Sequence, residues 1–150
     1  MIQRKQTIFL LLAVVCQIVA LTMPLAETVS DGFVTGTLHN LFWRDASGVS
    51  HFTAWPLCVI LSLSAAIGLY TIFLYKRRPL QATMALVAIV LDLAWYVALL
   101  VVSKAISPDA AQFHPLTATA LPAVAIILTF MARRAIQADE RLVRAADRLR

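Results

Sequence analysis

Four apolar runs, each close to the length needed to cross a bilayer, divide this chain of 150 residues. They cover residues 7–26, 55–75, 82–103 and 116–132. At 1.5 Å rise per residue, a helix of about 20 residues spans about 30 Å, the thickness of the hydrocarbon core. Lipid offers the backbone no hydrogen-bond partners, so a spanning run of this kind closes its bonds internally as a helix. Composition points the same way. Apolar residues make up 61% of the chain and charged residues 14%, against roughly 45–50% and about 25% in soluble domains. A soluble core needs a charged surface around it, whereas a lipid-facing surface does not. The expectation is an all-α membrane protein with residues 1–150 forming a single membrane domain.

The flanks of each run set its limits. The first follows Arg4-Lys5 and leaves through Pro24-Leu25-Ala26-Glu27. A cleaved signal peptide would have an apolar part of about 7–15 residues and a small-x-small exit, so an uncleaved anchor is expected. Trp55 opens the second run as an interfacial aromatic, and Pro56 suits the first turn of a helix. Lys76-Arg77-Arg78-Pro79 stops that run. Lys104 closes the third, where its long stem can snorkel to the headgroups. The fourth run is at the short limit for a span, and Pro122 is expected to kink it. Between the first two runs, residues 27–54 form an outer loop holding three of the four glycines. Residues 34–43 and 49–53 flank the turn-like Asp45-Ala46-Ser47-Gly48, which predicts a short β-hairpin. Residues 133–150 contain no glycine or proline. With Glu140 and Arg144 as an acid-first i,i+4 pair, they read as a helix continuing from the fourth span.

The net charge of +5 is unevenly placed. With four spans, one side holds Arg4, Lys5, Lys76, Arg77, Arg78, Arg133, Arg134, Arg141, Arg144, Arg148 and Arg150, and the other only Arg44 and Lys104. This asymmetry predicts that both ends are cytoplasmic. It also replaces nucleic acid, the usual partner of a basic soluble protein, with the lipid bilayer.

Asp92 is the most informative single residue. It lies at the middle of the third run, where a carboxylate costs at least about 2.5–3.5 kcal/mol. It must face other helices and find a partner, or be protonated. By the same count, Gln17 and Ser64 lie at mid-depth in the first and second runs, so Gln17, Ser64 and Asp92 form a candidate polar cluster. One interpretation is an interhelical hydrogen bond that fixes packing, worth about 0.6–2 kcal/mol. The other is a proton or cation site. Small residues at four-residue spacing (Ser64 and Gly68, Ala94 and Ala98, Thr119 and Ala123) allow close helix approach. Cys16 and Cys58 lie in different runs and read as buried thiols. His39, His51 and His114 share the outer side, but their spacing matches no ligand motif. Phe33, Phe42, Trp43, Phe52 and Trp55 are expected to pack the hairpin on the helix ends, the alternatives being to dock a partner or to lie on lipid. The tail carries six arginines and three acids. It is either a solvated helix that orients the protein or a docking helix for a cytoplasmic partner. Basic residues gain about 1 kcal/mol each near an anionic leaflet. No phosphate loop, metal spacing or Ser/His/Asp arrangement occurs. Neither an enzyme nor a cofactor site is expected.

Three segments carry a family resemblance. The opening MIQRKQTIFLLLA, the loop YKRRPLQ and the tail RRAIQADERLVRAADRLR resemble the corresponding parts of the family labelled domain of unknown function 4293, small membrane proteins known from Bacteroidota. The resemblance runs through the whole chain in order and is most specific in the tail. It implies four passes through a bacterial inner membrane. It also implies that the informative motifs face the cytoplasm, at Arg4, Lys76, Arg77, Arg78 and, in the tail, Arg141, Arg144 and Arg148. It implies no activity, ligand or catalytic residue. The family pattern has no acid at the position of Asp92, which weighs against a carrier role. The expected architecture is therefore a four-helix transmembrane bundle with a short outer hairpin and a C-terminal cytoplasmic helix over 133–150. The expected function is a non-enzymatic accessory or interaction component that meets a membrane or cytoplasmic protein partner through its basic loop and tail. The alternative is a small proton-coupled transporter, active as a homo-oligomer, with Asp92 as carrier.

Overall fold

A computed structural model describes residues 3–106 and 113–147. The chain is mostly helical, with helices α1 (Gln3–Thr22), α2 (Trp55–Phe73), α3 (Arg78–Ile106) and α4 (Leu121–Asp147). All four are long and apolar enough to cross a membrane. α1 packs on α2 and α4, and α3 also packs on α2 and α4. Each long helix thus packs chiefly on two others.

Proline explains three of the helix ends. Pro56 lies in the first turn of α2, and Pro79 in that of α3. Pro122 is the second residue of α4, so it starts the helix and does not kink it as the sequence suggested. The segment before it is a 3-10 turn, Thr117–Ala120. A proline at a helix start lacks only an N–H that would have had no helical partner. α4 then runs without a break through the expected boundary at residues 132 and 133. No glycine, proline or capping residue stands there to end it.

The segment 27–54 is not a loop with one hairpin. Four strands, β1 (Ala26–Ser30), β2 (Phe33–Leu38), β3 (Trp43–Asp45) and β4 (Ser50–His51), join β5 (Phe113–Pro115) in an antiparallel sheet of order β4-β3-β2-β1-β5. The turn over 45–48 is present, with Asp45 N–H donating to Val49 O at 3.1 Å and Gly48 at φ +84°. The principal hairpin lies elsewhere. Ser30 pairs with Phe33 across Asp31-Gly32, whose φ values of 51° and 81° are those of a type I′ turn. Asp-Gly is a favoured pair for that turn because both positions need positive φ. β5 comes from the far side of α3 and pairs with β1 through Thr28↔Phe113 and Ala26↔Pro115, a partnership no local pattern announces. Gly36 permits a close approach: a Cβ there would lie 2.7 Å from both Arg44 O and Trp43 Nε1.

The sheet is joined to the helix ends. Leu25, Ala26 and Leu38 share a buried cluster with Leu57, Leu61, Trp95 and Leu99. Leu25 N–H donates to Leu38 O and Leu116 N–H to Leu25 O, both at 2.7 Å. Deeper in, Gly68 lets α1 and α2 close together, and a Cβ on it would meet Val14 Cγ2 at 3.0 Å. Its four-residue partner Ser64 is buried too, whereas Ala94 and Ala123 of the other small-residue pairs are exposed. The outward faces of the helices are apolar. Leu12, Leu63, Val97 and Ile127 are 46%, 49%, 62% and 59% exposed. Exposed apolar side chains on all four helices are compatible with a surface that faces a membrane.

Candidate functional site

Gln17, Ser64 and Asp92 meet at the junction of α1, α2 and α3. Asp92 and Ser64 are the central residues of their helices, whereas Gln17 lies near the C-terminal end of α1. α1 stops at Thr22, earlier than the run ending at residue 26, because Leu25 and Ala26 are drawn into the sheet. The Gln17 amide donates from Nε2 to Asp92 Oδ1 at 2.8 Å and Oδ2 at 2.9 Å, and to Ser64 Oγ at 2.9 Å. The Ser64 hydroxyl donates to Ala88 O at 3.2 Å. Gln17 is 2% exposed, and Ser64 and Asp92 are fully buried. Gln17 Oε1 is buried with no hydrogen-bond partner. Turning the amide over would set that oxygen against the carboxylate, so the donor orientation is held by Asp92. Among the described residues no cation pairs with Asp92, since the ion pairs present are Arg78–Asp139 and His51–Asp45. The arrangement links three helices through neutral donors.

A second junction was not visible in the sequence. Asn40 is 1% exposed and touches three helices. Its Nδ2 donates to Ala20 O of α1 at 2.7 Å, and its Oδ1 accepts from Trp95 Nε1 of α3 at 3.1 Å. Its backbone carbonyl accepts from Cys58 N–H, in the first turn of α2, at 3.0 Å. Tyr96, beside Trp95, donates to Thr119 O at 2.6 Å. The signal available for Asn40 was weak: one polar residue between His39 and Leu41, with partners 20, 18 and 55 positions away.

The expected cytoplasmic residues lie at the opposite end of the helices from the sheet. Arg78 pairs with Asp139 at 3.1 Å, joining the start of α3 to α4. Nearby, Gln81 Nε2 donates to Thr71 O at 3.1 Å. Arg77 and Arg141 are exposed. Arg134, Gln137, Ala138 and Arg141 line a cleft on α4. The backbones of Arg4, Lys76 and Arg144 are helical, but their side chains, like the whole of Arg148, lie outside the described residues.

The histidines are spread over the sheet region. His39 stacks on Phe42 with ring centres 4.7 Å apart, and His51 stacks on Trp43 at 5.4 Å. His114 pairs with Glu27 in the sheet register. Burial, and then the nearby Arg44 charge, lower the His39 pKa below its ordinary value. Asp45 is held below the usual carboxylate range, chiefly by the Ser47 hydroxyl that donates to it at 2.6 Å. Among the described residues no group of three His, Cys, Asp or Glu side chains is placed to hold a metal. Cys16 and Cys58 are free thiols, half-buried rather than fully buried. Phe33, Phe52 and Trp55 are 76%, 66% and 57% exposed, so of the aromatics expected to pack the hairpin down, only Phe42 and Trp43 are partly covered.

The chain belongs to the family described as Domain of unknown function (DUF4293), whose profile matches residues 2–149. No curated protein matches it.

Proposed function

We propose that this member of a family of unknown function is an integral protein of a bacterial cytoplasmic membrane. In this reading it crosses the bilayer four times as a four-helix bundle, with both termini cytoplasmic and the sheet on the outer face. It works without enzymatic activity, as an accessory component that docks a membrane or cytoplasmic protein on its basic inner end. Support for insertion comes from the exposed apolar side chains on all four helices, since only 28–33% of each apolar window is buried. Support for sidedness comes from the distribution of Arg and Lys.

The observation that carries the interaction role is the Arg78–Asp139 pair. It ties the basic loop to α4, so that loop and tail present one surface instead of two independent appendages. The test is crosslinking and purification of the tagged protein from its native membrane, full length against a version ending at Arg134. A defined partner that copurifies with the full chain and is lost on truncation is expected. Recovery of both versions alone, or only with copies of themselves, would sink the docking role.

The buried Asp92 carboxyl favours a second reading, a proton-coupled transporter acting as an oligomer. The Gln17 amide engages both of its oxygens, which fits a packing junction better than a carrier that must exchange protons. Asp92→Asn in proteoliposomes separates the two. The packing role predicts a folded variant with the same proton flux as the parent, whereas a selective loss of flux supports the carrier.

A further inference from the structure

The geometry points to a lipid site on α4, in which Arg134, Gln137 and Arg141 seat the phosphate of an anionic glycerophospholipid. The inference rests on the membrane-spanning reading and assigns a ligand to one part of the inner surface.

Arg134, Gln137, Ala138 and Arg141 follow one another at helical spacing along one face of α4 and line a single cleft. Two turns, about 10.5 Å of helix axis, separate the arginines. Guanidinium groups at that separation can converge on one phosphate, which they bind in a planar, two-pronged geometry. Gln137 adds an amide donor between them, and Ala138 leaves room. Of the two acids in this stretch of α4, Asp139 is paired with Arg78, and Glu140, next to Arg141, has an interaction of its own. Neither Arg134 nor Arg141 forms an ion pair with a described residue.

The same face identifies the rest of the ligand. Stepping back from Arg134 by three, four and seven positions gives Met131, Phe130 and Ile127, which are 44%, 48% and 59% exposed. The stripe is therefore apolar through its first two turns and cationic through the next two. Its order matches a molecule with an acyl chain joined to a phosphate. A soluble phosphate would use only the second half, whereas a glycerophospholipid standing in the bilayer covers both.

Native mass spectrometry of the full chain, released from vesicles of phosphatidylcholine with a minor share of phosphatidylglycerol, tests the site. Flotation with pure phosphatidylcholine vesicles, resistant to alkaline carbonate, comes first. Failure there removes the spanning reading and this inference with it. Given insertion, the parent is expected to retain a phosphatidylglycerol adduct, and Arg134→Gln/Arg141→Gln to lose about tenfold of that retention. Arg44→Gln, at the sheet end, serves as control and should retain the adduct in full. Equal retention by the double variant overturns the inference. So does displacement of the adduct by millimolar inorganic phosphate, which would identify a soluble ligand. Loss of a crosslinked protein partner without loss of lipid would also overturn it, making the face a protein-docking surface.

Discussion

Gln17→Leu is expected to destabilise the folded chain by about 3 kcal/mol, and Gln17→Leu combined with Asp92→Leu to recover most of that loss. Leucine is close to glutamine in volume, so the single variant leaves little cavity. It strips Asp92 of the amide that donates to both its oxygens. A buried carboxyl that loses such a donor costs about 1–3 kcal/mol, more where it is charged, which exceeds what the intact pair contributes. Removing both members restores an apolar junction of similar shape, which is often neutral or stabilising. Ser64 keeps its bond to Ala88 O throughout. The measurement is equilibrium unfolding in mixed micelles, followed by far-ultraviolet circular dichroism, as a double-mutant cycle. Additive losses in the double variant would show that the two residues do not act as a unit.

Asn40→Ala should cost a similar amount, about 3 kcal/mol, through a different mechanism. The variant leaves two buried groups without partners, Ala20 O and Trp95 Nε1, at about 1–3 kcal/mol each. The backbone bond from Cys58 N–H to Asn40 O survives in principle, because it needs no side chain. Loosening should therefore begin where the sheet meets α1 and α3. Trp95 is fully buried in the parent, so its fluorescence should shift to the red and become quenchable by iodide. Proteolysis at Arg44 should accelerate as the sheet detaches. Unchanged fluorescence and proteolysis would mean that the apolar cluster under the sheet holds it without the asparagine.

Much of the fold was legible because it obeys local rules. A run of about 20 apolar residues has few conformations open to it, and all four runs form long helices. The basic stop at 76–79 marks the change from α2 to α3, with Arg78 and Pro79 opening α3, and the proline-free tail is helical to Asp147. The depth count that grouped Gln17, Ser64 and Asp92 points to residues that do touch, since polar groups in apolar helices have few other partners to find. The errors came where local and distant influences compete. The Asp31-Gly32 turn was readable, as an aspartate-glycine pair between Val29-Ser30 and Phe33-Val34. The cluster at 45–48, also a turn, closes only the short β3–β4 pairing. Pro122 reads as a kink because the apolar run begins at Leu116, whereas the chain is still in a 3-10 turn at Ala120 and the helix starts at Leu121.

The sequence by itself determined the helices, their approximate ends and which residues are too polar to face an apolar surface. These follow from composition, periodicity and backbone hydrogen bonding within single segments. Only the tertiary structure decided that β5 crosses from the far side of α3 to pair with β1, that Asn40 joins three helices, and that Arg78 engages Asp139. Each depends on residues far apart in the chain arriving at one place. That placement is a property of how the helices pack, and no segment carries it alone.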